Sequence, residues 1–285
     1  SAGFNHLWDG HYYCLDLSRD DALAYIQGLI DRMIDWGFRY IKIDFLYAGF
    51  LFGDFAQGGS PYEHYERACA LLTKRAASAS GADAAAPNAP VAFLGCGLPL
   101  GASFRHFPLS RIGADTREEW DWKLVKLLGH VGRPSAYINL LDAIGRSFFD
   151  GVIYCNDPDV VFMRTRNCKL TENEKELIAL VNFLLAGQIM TSDDPLHLEP
   201  ADIQLAKRMA ALYAALADDE YGAVRLDRDV FRLVSRSGKT TGVINLSNRP
   251  YPLREPLMNG QFLVDRRKNG AYAPHSISIQ IGTSP

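Results

Sequence analysis

The sequence predicts an α/β fold: a partial (β/α)8 TIM-type barrel, about its last five strands, followed by a small antiparallel β-sandwich. Short apolar runs near residues 40, 91, 107, 152 and 188 alternate with helix-patterned stretches, and polar residues sit just after the runs. In barrels built this way, chemistry lies at the carboxyl ends of the strands. The tail changes character. Phe231–Ser235 and Thr241–Asn245 flank the turn signal Ser237-Gly238, and Ile277, Ile279 and Ile281 alternate with polar residues. Alternation of period two marks half-buried strands. Residues 1–223 are therefore read as the partial barrel and 224–285 as a C-terminal β domain.

The elements follow in order. Ser18 with Asp21 has capping-box spacing, Leu23, Ile26, Ile30 and Met33 follow at helical spacing, and Gly37 stops the run. Tyr12–Leu17 is read as one more short strand. Tyr40–Phe45 is a strand. Ser60-Pro61 with Glu63 opens a helix that places Tyr65, Cys69 and Leu72 on one face. The stretch 76–90, rich in Ala, Ser, Gly and Pro, is read as a mobile connection. Val91–Gly97 and Phe107–Ile112 are strands, and Pro134–Phe149 is helical in pattern. Val152–Cys155 is a strand running into Asn156-Asp157-Pro158-Asp159. Thr171 with Glu174 caps a helix reaching Leu185. Ile189–Thr191 runs into Ser192-Asp193-Asp194-Pro195, and a last helix spans Pro200–Leu216.

Composition narrows the function classes. A net charge of −3 argues against nucleic acid or an anionic membrane as the main partner, because both call for a basic patch. The apolar stretches fall short of a membrane span. The five cysteines, Cys14, Cys69, Cys96, Cys155 and Cys168, are odd in number and contain no CxxC pair, so reduced thiols are expected. The histidines form no HxxxH or HxH pair, and no metal or other cofactor is expected. No leader peptide is legible, and a cytoplasmic location is favoured.

Two segments carry chemistry. In Tyr40-Ile41-Lys42-Ile43-Asp44-Phe45, residues two apart share a face, so Lys42 and Asp44 project together, opposite Ile41 and Ile43. Read as a buried strand, this puts an ammonium beside a carboxylate and favours the ionised acid, which a carboxylate nucleophile requires. About seventy residues on, Arg111-Ile112-Gly113-Ala114-Asp115 supplies a second carboxylate. Two carboxyl groups of separate origin facing one cavity are the equipment of glycoside hydrolysis. The plain alternatives are a Lys42–Asp44 ion pair at a sheet edge and, for Asp115 before Thr-Arg-Glu-Glu, a helix N-cap.

With these residues laid out, the chain resembles the retaining α-galactosidase clan, glycoside hydrolase families 27 and 36, and more closely family 36. The ordered pieces are Leu15-Asp16-Leu17-Ser18, the Tyr40–Tyr47 run, Gly95-Cys96-Gly97, Arg111–Thr116 with Trp120, Asn156–Asp159 and Thr191–Asp194. The resemblance implies a retaining exo-acting hydrolase of terminal α-linked galactose, with Asp44 as nucleophile and Asp115 as general acid/base. Lys42 would hold sugar hydroxyls, Arg111 would help hold the sugar or orient Asp115, with the sugar favoured, and Cys96 would lie near it. The resemblance further implies an α-galactoside oligosaccharide as partner, and self-association into a homo-oligomer is an open option.

The family's first three barrel strands and N-terminal β-sandwich have no counterpart here. The chain therefore reads as the C-terminal half of a family member, with little turnover expected from it alone and galactose specificity only inferred. A raffinose-type α-galactosyl transglycosylase, another α-glycosidase and an inactive sugar-binding remnant stay open beside the hydrolase. Asp159 belongs with substrate binding or, in the turn-forming Asp-Pro-Asp, with loop organisation. Asp193 and Asp194 before Pro195 are read as a turn. For Trp8 and Trp120, core packing is favoured over sugar stacking.

Overall fold

The computed structural model describes residues 3–5, 9–51, 53–78, 91–121, 127, 134–254 and 259–282. Trp8 and most of the expected connection 76–90 lie outside them; the helix before that connection runs on to Ser78. By contacts the chain divides into two compact units: Ser1–Arg111 with Ile153–Cys155, and Ile112–Val152 with Asn156–Pro285. The cut differs from the expected one at 223/224 because one apolar core joins the later helices to the tail strands. It runs from Ile112 and Leu140 through Leu177–Val181 to Leu233, Ile244 and Ile279.

The first unit opens with an antiparallel hairpin of β1 (Gly3–Asn5) and β2 (Gly10–Tyr12). The short strand expected at Tyr12–Leu17 is therefore displaced towards the N-terminus. Helix α1 (Asp20–Asp35) buries Leu23, Ile30 and Ile34. Its expected capping box does not form. Asp16, two residues before Ser18, is the nearer partner and accepts from the Ser18 hydroxyl at 2.6 Å, so no side chain caps the helix. Strand β3 (Tyr40–Ile43), helix α2 (Pro61–Ser78), β4 (Ala92–Gly95), the short α3 (Leu100–Ser103) and β5 (Leu109–Arg111) follow. Helix α2 buries Tyr65, Cys69 and Leu72, the face its spacing foretold. β3 pairs in parallel with β4, and β4 with β5. β3 stands at one end of the strand order.

The second unit holds α4 (Ala136–Arg146), capped by the Ser135 hydroxyl. Strand β6 spans Cys155–Asp157, not Val152–Cys155, because left-handed Gly151 (φ 67°) and the Asn156 N–H donating to Asp150 keep the chain in a turn until then. β7 (Val160–Val161) pairs in parallel with β8 (Met190–Thr191) on either side of α5 (Glu172–Leu185). Thr171 and Glu174 form the expected reciprocal capping box on α5. After α6 (Pro200–Leu216) come β9 (Tyr221–Asp227), β10 (Val230–Ser235), β11 (Thr240–Asn245), β12 (Tyr251–Pro252), β13 (Gly260–Val264), β14 (Arg267–Lys268), β15 (Ala271–Tyr272) and β16 (Ser276–Gly282). They form an antiparallel sheet in the order β13-β16-β11-β10-β9 and a smaller one, β12-β15-β14. No helix among the described residues is long and apolar enough to cross a membrane.

Candidate active site

The first unit gathers Lys42, Asp44, Cys96 and Arg111. Asp44 follows the last residue of β3 and Cys96 the last residue of β4. The two strand ends are clasped: the Cys96 N–H donates to the Ile43 carbonyl at 2.9 Å, and the Cys96 carbonyl accepts from the Leu46 N–H at 3.1 Å. This backbone bracket brings the Cys96 thiol onto the Asp44 carboxylate as a hydrogen-bond donor. The Phe45 N–H donates to the same carboxylate at 2.7 Å. Phe45 itself is left-handed, at φ 53°, a region that costs a side-chain-bearing residue energy and that clusters at functional sites. Gly97 makes room for the turn: a Cβ there would stand 3.2 Å from the Tyr47 ring.

One expectation is corrected. Ile41 is buried, but Lys42 and Asp44 both lie on the exposed face of β3. Alternation assigns residues to faces without saying which face is covered, and here the covered face is that of Ile41. The electrostatic consequence nevertheless stands. Partial burial pushes the Asp44 carboxyl up. The Cys96 thiol, the Phe45 N–H and the charges of Lys42 and Arg111 outweigh that push and hold it below the ordinary carboxylate value. Burial and the neighbouring carboxylate push the Cys96 thiol up to about 11, against the opposing pull of Arg111 and Lys42. It therefore stays a protonated donor at neutral pH. Arg111 is only 7% exposed, and its charge acts on Asp44 and Cys96.

The second unit holds Asp115 and Asp159. Asp115 is exposed, and residues 115–121 are not helical, so it caps no helix there. Asp159 is buried at φ 75° and accepts from the Thr116 N–H at 2.7 Å. This is the loop-organising role that its Asp-Pro-Asp setting allowed. Trp120 stacks on His275, with ring centroids 4.0 Å apart, and packs against the second unit's core. Asp193 accepts from the Met163 N–H and from Arg164, and Asp194 caps the short turn Pro195–His197. Sequence reasoning named Asp16 within its motif but gave it no role, and here it pins Ala56 and Ser18; it passed over the pair Asn139 and Asp142 on α4. An amide and a carboxylate three residues apart in a helix otherwise apolar up to its closing Arg146 were the available signal. Among the described residues, no group of three or more His, Cys, Asp or Glu is placed to hold a metal ion.

No protein-family model matches the sequence. Solved structures do match, and they define a glycoside-hydrolase fold. The chain is 28% identical to TtGalA, an α-galactosidase from Thermus thermophilus in complex with p-nitrophenyl α-D-galactopyranoside. That match covers 81% of this chain and 43% of that one, with a TM-score of 0.60. The same enzyme in complex with stachyose matches at 27% identity over 73% of this chain and 41% of that one, with a TM-score of 0.58. A GH27 β-L-arabinopyranosidase from Geobacillus stearothermophilus matches all of this chain and 67% of its own length at 12% identity, with a TM-score of 0.63, which speaks to fold alone. The chain has an α-galactosidase-like fold of the GH27/GH36 type. It spans less than half the length of TtGalA.

Proposed function

We propose that this chain carries the catalytic carboxylates of a retaining exo-α-galactosidase. The observation that carries the reading is the Asp44 carboxylate at the end of a parallel strand clasped to Cys96, where it accepts from the Phe45 N–H at 2.7 Å and where the Cys96 thiol and the charges of Lys42 and Arg111 favour its ionised form. The likeness to TtGalA at 27–28% identity supports it, and so does the ordered motif set. In the first step an Asp44 oxygen bonds to the anomeric carbon, and the bond to the leaving oxygen breaks as that oxygen takes a proton from Asp115. In the second, Asp115 takes a proton from water. The hydroxide oxygen bonds to the anomeric carbon and Asp44 leaves, which gives net retention. Lys42 and Arg111 supply donors to sugar hydroxyls.

The test uses p-nitrophenyl α-D-galactopyranoside and a version of the enzyme that also carries the family's first three barrel strands, since little turnover is expected from this chain alone. Proton NMR of the first-formed sugar should show the α anomer, and β-galactose would refute the double displacement. Asp44→Ala should abolish turnover. Azide should then restore nitrophenol release and give β-galactosyl azide, because a single displacement on an α-glycoside inverts the centre. Undiminished turnover by Asp44→Ala would remove Asp44 from the mechanism.

A further inference from the structure

We infer that Asn139 and Asp142 of α4, together with Asp159, are positioning residues that fix the crest of the loop carrying Asp115; this rests on the reading of Asp115 as the general acid/base. Asp115 is the exposed point of a strap pinned on both sides. Before it, the Ile112 N–H donates to the Asp157 carbonyl at 3.0 Å, and Arg146 donates to the Ile112 carbonyl. The Ala114 N–H donates to Asp142 at 3.3 Å, and the Ala114 carbonyl accepts from the Asn139 amide at 3.1 Å. After it, the Thr116 N–H donates to Asp159. Both peptide groups flanking Asp115 are thus held by side chains from outside the strap.

The holders are themselves fixed. Asn139 is 1% exposed, and its amide also donates to the Pro158 carbonyl at 2.6 Å, which ties the strap to the Asp157–Asp159 turn. Asp159 is oriented within that turn, where its N–H donates to the Asp157 carboxylate at 2.8 Å. Asp142 pairs with Arg146 at 2.9 Å, one turn along α4. The glycine at 113 fits the same arrangement, since a Cβ there would come within 2.7 Å of the Asp142 side chain. A general acid must sit within hydrogen-bond reach of the leaving oxygen. A carboxylate on an exposed crest meets that demand only if the backbone under it is immobile.

The experiment compares kcat/KM, which reports the first chemical step, for an activated aryl α-galactoside and an unactivated disaccharide α-galactoside, in the version of the enzyme that also carries the family's first three barrel strands. Asp142→Ala and Asp159→Ala are measured with Asp142→Asn, Asp159→Asn and Asp115→Ala. The alanine variants should lower the disaccharide value at least tenfold more than the aryl value. The asparagine variants, which keep an acceptor oxygen, should recover most of that difference. Amide exchange at Ala114 and Thr116 should accelerate in the alanine variants while that of Leu177–Val181 is unchanged, which separates a loosened strap from a failed fold. Equal losses on both substrates, or exchange unaltered at Ala114 and Thr116, would overturn the inference while Asp115→Ala still shows the leaving-group dependence. If Asp115→Ala lacks that dependence, the acid/base reading itself falls, and the positioning role with it.

Discussion

At the residue scale, the site turns on what lowers the Asp44 pKa. Burial opposes ionisation there, and the lowering comes from donors and cations, with the Cys96 thiol first among them. A nucleophile must be ionised, so the acidic limb of kcat/KM should lie below the ordinary aspartate range. Cys96→Ala removes the leading donor and should move that limb to higher pH, whereas Cys96→Ser keeps a donor and should leave it nearly in place. A pH profile of the three proteins decides, and an unmoved limb in Cys96→Ala would show that the thiol bond does not tune the acid. The same shift has a stability sign. A folded value below the unfolded one stabilises at pH above about 3.9, and the contribution disappears as pH falls through the lowered value. The sequence made the pairing of Lys42 with Asp44 legible because strand periodicity is a local property. The bracket between Ile43, Cys96 and Leu46 was not legible, because it depends on which strands become neighbours.

At the element scale, the legible features were those written in short-range chemistry. Thr171 with Glu174 announced a capping box and forms one, and Pro200–Leu216 is helical over the span its pattern marked. Ser18 with Asp21 carried a similar signal and failed, because Asp16 competes for the hydroxyl from outside the motif. The Asp142 and Asn139 contacts to residue 114 were illegible for a related reason: they cross 28 and 25 positions of sequence. The α5 cap is the simplest to test. Burial pushes Glu174 up, but His275 and Thr171 outweigh it and hold the carboxylate below its ordinary range. Thr171→Ala should therefore cost about 1 kcal/mol, read as a lower midpoint in thermal unfolding. No change in midpoint would mean that packing alone holds the helix end. Leu180→Ala, deep in the same helix and fully buried, should cost about 2–5 kcal/mol by leaving a cavity.

At the scale of the whole molecule, the two compact units are built on different terms. The second is organised around α5, where Leu177 through Val181 are all fully buried, and helices and antiparallel strands share one core. The first presents a parallel sheet whose end strand, β3, has β4 as its sheet neighbour among the described residues. An end strand turns alternate N–H groups away from its neighbour and offers them to solvent or to another chain. Local opening tracks burial and contact density, so hydrogen exchange should grade across the molecule. Amides of Leu177–Val181 should exchange slowest, and those of Tyr40–Ile43 should exchange well before them. The experiment reads each unit by itself. If Tyr40–Ile43 proved as protected as α5, the side of β3 away from β4 would have to be covered in solution by another strand. Dilution would then show whether that cover comes from a second copy of the chain, since protection supplied by a partner weakens as concentration falls.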